Sequence, residues 1–310
     1  MGQNWNTENI PGLTGKIIIV TGANSGIGLE SAREFARKGA EVILACRSMD
    51  KAQTALADIQ QTVPGAKAEI MMLDLSSLKS VRQFVETFKG KYRQLDVLLN
   101  NAGIMWVPYG KTEDGFERQF GTNHLGHFAL TGLLLDMLLS TSNARVVNVS
   151  SMGHRSGVMD FDNLMFEDGQ DYGEHRSYSR SKLANLLFTY ELQRRFEAAG
   201  ASATAVAAHP GGSNTNLGNH LLDAWYWRLL YPLMALMAQS AAMGALPSIR
   251  AAVDPNVKGA EYYGPNGFME ARGYPVVVQS NDASNNKADA NRLWEISEKL
   301  TGVQFAFSNA

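Results

Sequence analysis

Tyr178 and Lys182 stand four residues apart in a segment, Tyr178–Ala199, whose apolar residues recur at helical spacing, so the two side chains share one helical face. A free phenol titrates near ~10, too high for an efficient base at neutral pH. A neighbouring ammonium favours the phenolate and lowers that value, and the pair can then exchange a proton with a carbonyl or alcohol oxygen. Far upstream, Thr21–Gly28 reads TGANSGIG, directly after an apolar run. Gly22 can make a tight turn, Gly26 lets backbone approach a phosphate, and Gly28 permits close packing of helix on strand. Amides at the helix start then face an anionic diphosphate. Gly22, Asn24, Ser25, Gly26, Ile27 and Gly28 are therefore candidate cofactor contacts. Where an acidic residue would hold a ribose 2′-hydroxyl, the chain has Ala45-Cys46-Arg47. A guanidinium pairs bidentately with a 2′-phosphate, so Arg47 points to NADP(H), with Lys51 adding charge a turn later. Each feature has an ordinary alternative: a glycine-rich turn without ligand, a solvated arginine, a chance Tyr/Lys pair.

These residues need elements to bring them together. Short apolar runs recur at Lys16–Val20, Glu41–Ala45, Glu69–Leu73, Leu95–Leu99, Ala144–Val149 and Ser202–Ala208. Continuous apolar character over so few residues predicts strands buried on both faces, as in a parallel sheet. Helical patterns fall between them at Gly28–Lys38, Lys51–Gln61, Leu78–Phe88, Gly115–Leu139 and Tyr178–Ala199, with another at Asp289–Leu300 ending in Thr301-Gly302. The alternation predicts an α/β fold, a doubly wound parallel sheet of the Rossmann kind in a single domain, 1–310, with ligands outside the carboxyl ends of its strands. Residues 1–14 read as a polar extension, 216–239 as a strongly apolar segment, and 255–310 as an irregular cap carrying one helix.

Composition removes whole classes of function. Charges of 28 Lys+Arg and 30 Asp+Glu nearly cancel to −2, which disfavours a nucleic-acid partner. With 45% hydrophobic residues the chain can fill a sizeable core. One cysteine, Cys46, excludes an internal disulfide and multi-Cys metal sites. His124 and His127 could share a helical face and read as structural, so no metal site is expected. The opening MGQNWNTENIPGL lacks the layout of a signal peptide, and Asn6 stands where myristoylation needs Ser or Thr. The expected setting is cytoplasmic.

Further motifs make the reading specific. Asp74-Leu75, NNAG at Asn100–Gly103, Asn123, Ser151, YSRSK at Tyr178–Lys182, and His209-Pro210-Gly211 with Thr215 follow the glycine loop in order. Together, from about Gly15 to Gly302, they resemble the short-chain dehydrogenase/reductase family. The resemblance implies that Asp74 and Leu75 touch adenine, that Asn101, Ala102 and Gly103 line the cofactor groove, and that Pro210, Gly211 and Thr215 cover the nicotinamide carboxamide. It implies Tyr178 as general acid/base, Lys182 on the nicotinamide ribose, Ser151 on the reacting oxygen, and Asn123 binding a water that links Lys182 to solvent. By the residues alone Ser150 stays a candidate beside Ser151, both could be capping residues, and Asn123 could be a helix N-cap.

Ser151 and Tyr178 are 27 positions apart, a gap wider than in common family members. The insert SGVMDFDNLMFEDGQDYGEH is similar to the branch of retinol dehydrogenases and light-dependent protochlorophyllide reductases. The tracts NVSSMGH, YSRSKLANLLFTYEL and RLWEISEKLTG resemble the retinol dehydrogenase side. That branch implies NADP(H). Membrane-bound retinol dehydrogenases often carry an N-terminal apolar anchor, which this opening does not show.

The resemblance implies a helical lid at 216–239, and this segment bears Trp225, Tyr226, Trp227, Tyr231, Met234 and Met237 among many leucines, an adaptable apolar surface. It predicts a hydrophobic aldehyde, ketone or alcohol as substrate, with core or a dimer interface as the alternative. Leu229–Ile249 is uncharged, but Pro232, Gln239, Ser240, Gly244 and Pro247 divide it, so no transmembrane span is expected. Peripheral membrane contact and oligomerisation both stay open. Competing functions are a non-catalytic NADP(H)-binding sensor or scaffold, against which Ser151, Tyr178 and Lys182 argue, and protochlorophyllide reduction, whose extra cysteines are missing.

Overall fold

The computed structural model describes residues 4–212 and 239–307. Strand β1 (Ile17–Thr21) shows why the apolar runs are continuous: Ile18 and Val20 enter one core, while Ile19 enters another on the opposite face. All three are fully buried, and each contributes about 1.5–3 kcal/mol. Helices α1 (Gly26–Arg37) and α2 (Met49–Thr62) cover the first face through Phe35 and Ile59, and α3 (Leu78–Lys91) covers the second through Phe84 and Phe88.

Strands β2 (Glu41–Cys46), β3 (Lys67–Met72), β4 (Val97–Asn100), β5 (Arg145–Val149) and β6 (Thr204–Ala208) lie within a few residues of the apolar runs. The sheet order is β3-β2-β1-β4-β5-β6-β7-β8. All neighbours are parallel except β7 with β8. The order reverses between β1 and β4, which opens a crevice at their carboxyl ends.

The 115–139 pattern differs from the single helix expected. It breaks into α4 (Arg118–Phe120), a π-helical turn at Gly121–Leu125, α5 (Gly126–Leu133) and α6 (Leu135–Ser140). At Gly126, the first residue of α5, a Cβ would sit 2.4 Å from the Leu75 carbonyl oxygen, so this helix start packs directly on the loop after β3. The long helix α7 spans Glu174–Ala198. Helix α8 (Ala241–Val253) is capped by Ser240, whose hydroxyl accepts from the Met243 amide, and it runs through Pro247 instead of breaking there.

Two strands were not foreseen. β7 (Tyr262–Pro265) and β8 (Pro275–Val277) extend the sheet from within the segment expected to be an irregular cap. Their brevity, with glycine and proline inside them, hides the strand pattern. The final helix α9 (Lys287–Thr301) ends at Gly302, which adopts a left-handed conformation. At the other end, Ile10 and Leu13 are buried against the α1 side of the sheet, so the opening segment packs through these two side chains.

Candidate active site

A cleft of about 620 Å³ lies over the carboxyl ends of the strands. One end is built for an anion. The loop after β1 delivers Gly22, Asn24 and Ser25, and the first residues of α1, Gly26, Ile27 and Gly28, follow in the wall. Ser25 makes no side-chain capping bond, so the positive end of the helix faces the cleft. A Cβ at Gly28 would come within 2.5 Å of the Gly22 carbonyl oxygen and 2.6 Å of Asn101 Nδ2, so α1 can approach β1 only with glycine there. Arg47, exposed, and Lys51 lie beside this loop and line the same cleft.

The floor is a hydrogen-bonded unit. Thr21 Oγ1 accepts from the amides of Asn101 and Ala102, both at 2.9 Å, and Asn101 Nδ2 donates to the Thr21 carbonyl at 2.8 Å. His127 Nδ1 lies 3.0 Å from the Asn123 carbonyl. A carbonyl only accepts, so Nδ1 carries the proton and Nε2 accepts from the Thr21 hydroxyl at 2.9 Å. Burial holds His127 down to about 4, keeping the ring neutral. Thr21 and His127 are therefore structural members of the floor. Asp74 and Leu75 line the cleft after β3, and the Asp74 carboxylate already accepts from the amide and hydroxyl of Ser76.

The other end of the cleft gathers the chemistry. Tyr178, Lys182 and Ser151 all line it, with Gly103, Pro210 and Gly211. Ser151 starts a short 3-10 turn after β5, and its hydroxyl also accepts from the Gly153 amide at 3.1 Å. Ser150 lines the cleft as well, but its buried hydroxyl donates to the Lys182 carbonyl at 2.8 Å. Lys182 Nζ donates to the Val149 carbonyl at 3.1 Å and lies 5.6 Å from the centre of the Tyr178 ring.

Burial decides the electrostatics. It pushes the Tyr178 phenol up, while a hydrogen bond with Ser151 pulls it back. It pushes Lys182 down to about 8. Burial thus opposes charge on either member of the pair, and the hydrogen bond with Ser151 acts against it at Tyr178.

Asn123 lies deeper. It does not line the cleft. Fully buried, it sits one layer behind Gly103, its Oδ1 accepting from the Ile104 amide at 2.8 Å. Its Nδ2 donates to the Ile104 carbonyl and to Ser181 Oγ, both at 2.9 Å. The side chain is committed to protein partners and positions the backbone after NNAG. Thr215 and the lid residues 216–238 lie outside the described residues. Ile104, Met105, Trp106, Thr122 and Met152 line the cleft and were missed; the apolar IMW run directly after NNAG was the available signal.

A profile of the family described as short chain dehydrogenase matches residues 16–164. Retinol dehydrogenase 11 of Homo sapiens is 40% identical over 291 residues, covering 94% of this chain and 87% of that protein. The chain belongs to the short-chain dehydrogenase family, in its retinol dehydrogenase-like branch. A solved structure of an uncharacterised protein from Mycobacterium paratuberculosis matches at 40% identity with a TM-score of 0.81, over 98% of this chain and 100% of that one. A short-chain dehydrogenase from Shigella flexneri, solved in complex with NADP, matches with a TM-score of 0.62 over 81% of this chain and 97% of that one. At 23% identity the second likeness speaks to the fold alone. As a member of this family the chain is an oxidoreductase, and no helix among its described residues is long and apolar enough to cross a membrane.

Proposed function

We propose that this short-chain dehydrogenase transfers a hydride between NADP(H) and the carbonyl or alcohol carbon of a hydrophobic aldehyde, ketone or alcohol, with Tyr178 as general acid/base. The observation that carries the reading is the convergence of Tyr178, Ser151 and Lys182 at one end of a cleft whose other end offers helix amides, Arg47 and Lys51.

The residues present suit a dinucleotide phosphate. Gly26 and Ile27 at the start of α1 would hold the diphosphate, Arg47 the 2′-phosphate, Asp74 and Leu75 the adenine, and Lys182 the nicotinamide ribose. Asn101, Ala102 and Gly103 would form the floor beneath it, with Pro210 and Gly211 beside the carboxamide. When bound, the nicotinamide supplies or accepts the hydride. Ser151 would hold the substrate oxygen. In reduction Tyr178 gives that oxygen its proton, and Lys182, still mostly cationic at neutral pH, stabilises the phenolate left behind. In oxidation the proton returns along the same path.

The apolar side chains Ile104, Met105 and Met152 at the Tyr178 end support an apolar substrate. The reading keeps a cytoplasmic setting, which suits a chain whose cysteine is buried and unpaired. The test is NADPH and NADH absorbance with a panel of apolar aldehydes. Turnover preferring NADPH, with the preference reversed by Arg47→Glu, is the expected result. Tight NADPH binding without turnover of any aldehyde, or of the matching alcohols with NADP, would leave a binding protein instead.

A further inference from the structure

Trp106 has a left-handed backbone, with φ at +53°, a conformation that bulky residues avoid. Such outliers persist where the surroundings over-determine them, and they cluster at functional sites. The surroundings here are dedicated. The Trp106 amide donates to Oε1 of fully buried Gln119 at 2.8 Å. Gln119 Nε2 donates in turn to the Tyr172 hydroxyl at 3.0 Å and to the Glu174 carbonyl, at the start of α7, at 2.9 Å. The Tyr172 hydroxyl closes the circuit by donating to the Val107 carbonyl at 2.6 Å. Asn123 fixes the Ile104 end. The segment 104–107 lies in no helix or strand, yet side chains of three other residues hold its backbone on both sides of Trp106.

What this clamp presents is an apolar face. Ile104, Met105 and Trp106 line the cleft that holds Ser151 and Tyr178. The Trp106 ring lies 5.8 Å from the ring of His175, one turn before Tyr178 on α7, so the indole borders the helix turn that leads to Tyr178. A flat aromatic face favours a flat partner over a saturated chain of equal size.

We propose that Trp106 is a specificity-determining residue, the fixed wall against which a flat aromatic or conjugated carbonyl substrate lies, and that Gln119 is the positioning residue that holds it there. This rests on the oxidoreductase reading above. Its test compares kcat/KM for 2-naphthaldehyde and decanal in the full-length enzyme with NADPH. Trp106→Gly removes the ring while leaving a residue suited to the left-handed backbone, and Trp106→Phe keeps an aromatic face. The glycine variant should lower the naphthaldehyde/decanal ratio by about tenfold, the phenylalanine variant should keep it within about threefold, and Gln119→Leu should move it in the glycine direction. A ratio unchanged in Trp106→Gly overturns the proposal. Equilibrium binding of 2-naphthaldehyde to the NADPH complex of Tyr178→Phe, with and without Trp106→Gly, separates the two readings. If the wild type turns over neither aldehyde, a binding difference still supports the wall, and equal binding overturns it.

Discussion

On the floor of the cleft, Thr21, His127, Asn101 and Ala102 are joined by neutral hydrogen bonds in which every donor direction is fixed. On the rim, Glu270 sits on a turn where it and Met269 both have left-handed backbones. Its carboxylate meets the Arg155 guanidinium at 2.8 Å and His209 Nε2 at 3.0 Å, and these partners hold it below the usual carboxylate range. Thr21 is fully buried, whereas the Arg155 side chain is 44% exposed and that of Glu270 23%. Thr21 and His127 therefore cannot exchange their partners for water, and the rim pair can. Rigidity under the cofactor groove comes from desolvated neutral bonds; the rim tolerates charge because solvent screens it.

The largest effect separates binding from chemistry. Tyr178→Phe should lower kcat about 10³-fold while NADPH affinity stays within about threefold; equal loss of both would make the residue part of the floor. Next, Thr21→Val takes from the Ala102 amide its acceptor and leaves the Asn101 amide only the Leu99 carbonyl, and should reduce unfolding free energy by about 1–3 kcal/mol in urea titration. An intact midpoint would break the contrast with the rim.

A smaller effect is carried by pH. His127 titrates at about 4 in the folded chain against an ordinary 6.5, so between those values the unfolded chain binds the proton and the folded chain does not. Its share of stability is complete above about pH 6.5 and declines as acid is added towards pH 4, by about 2 kcal/mol between pH 7 and 5. His124, pushed down to about 3 by burial, acts with the same sign. His127→Gln should flatten the urea-stability profile between pH 7 and 5 relative to wild type; parallel profiles would place the acid sensitivity elsewhere. Smallest of all, Glu270→Gln should cost under about 1 kcal/mol by the same titration. A cost matching that of Thr21→Val would show that the rim is as desolvated as the floor.

How far the site was legible follows the same division. The glycine loop, NNAG and the Tyr178–Lys182 pair declare themselves because each follows a strand end or shares one helix turn, so spacing along the chain stands for distance. Trp106, Gln119 and Tyr172 do not, because nothing local links residues 106, 119 and 172. Nor does anything local show that the Ser150 hydroxyl is taken up by the Lys182 carbonyl of α7. Asn123 looked like a polar residue in a helix; the π-helical turn and the Ile104 backbone that it serves come from packing.

Local pattern alone was enough for the alternating strands and helices and for the glycine loop that lets α1 approach β1, since strand pleat, helix period and glycine sterics act over a few bonds. Tertiary structure alone decided the two added strands, the neutral tautomer of His127, the raised phenol and the clamped indole wall. Each of these depends on which distant groups replace water around a side chain, and solvent exclusion is a property of the folded whole.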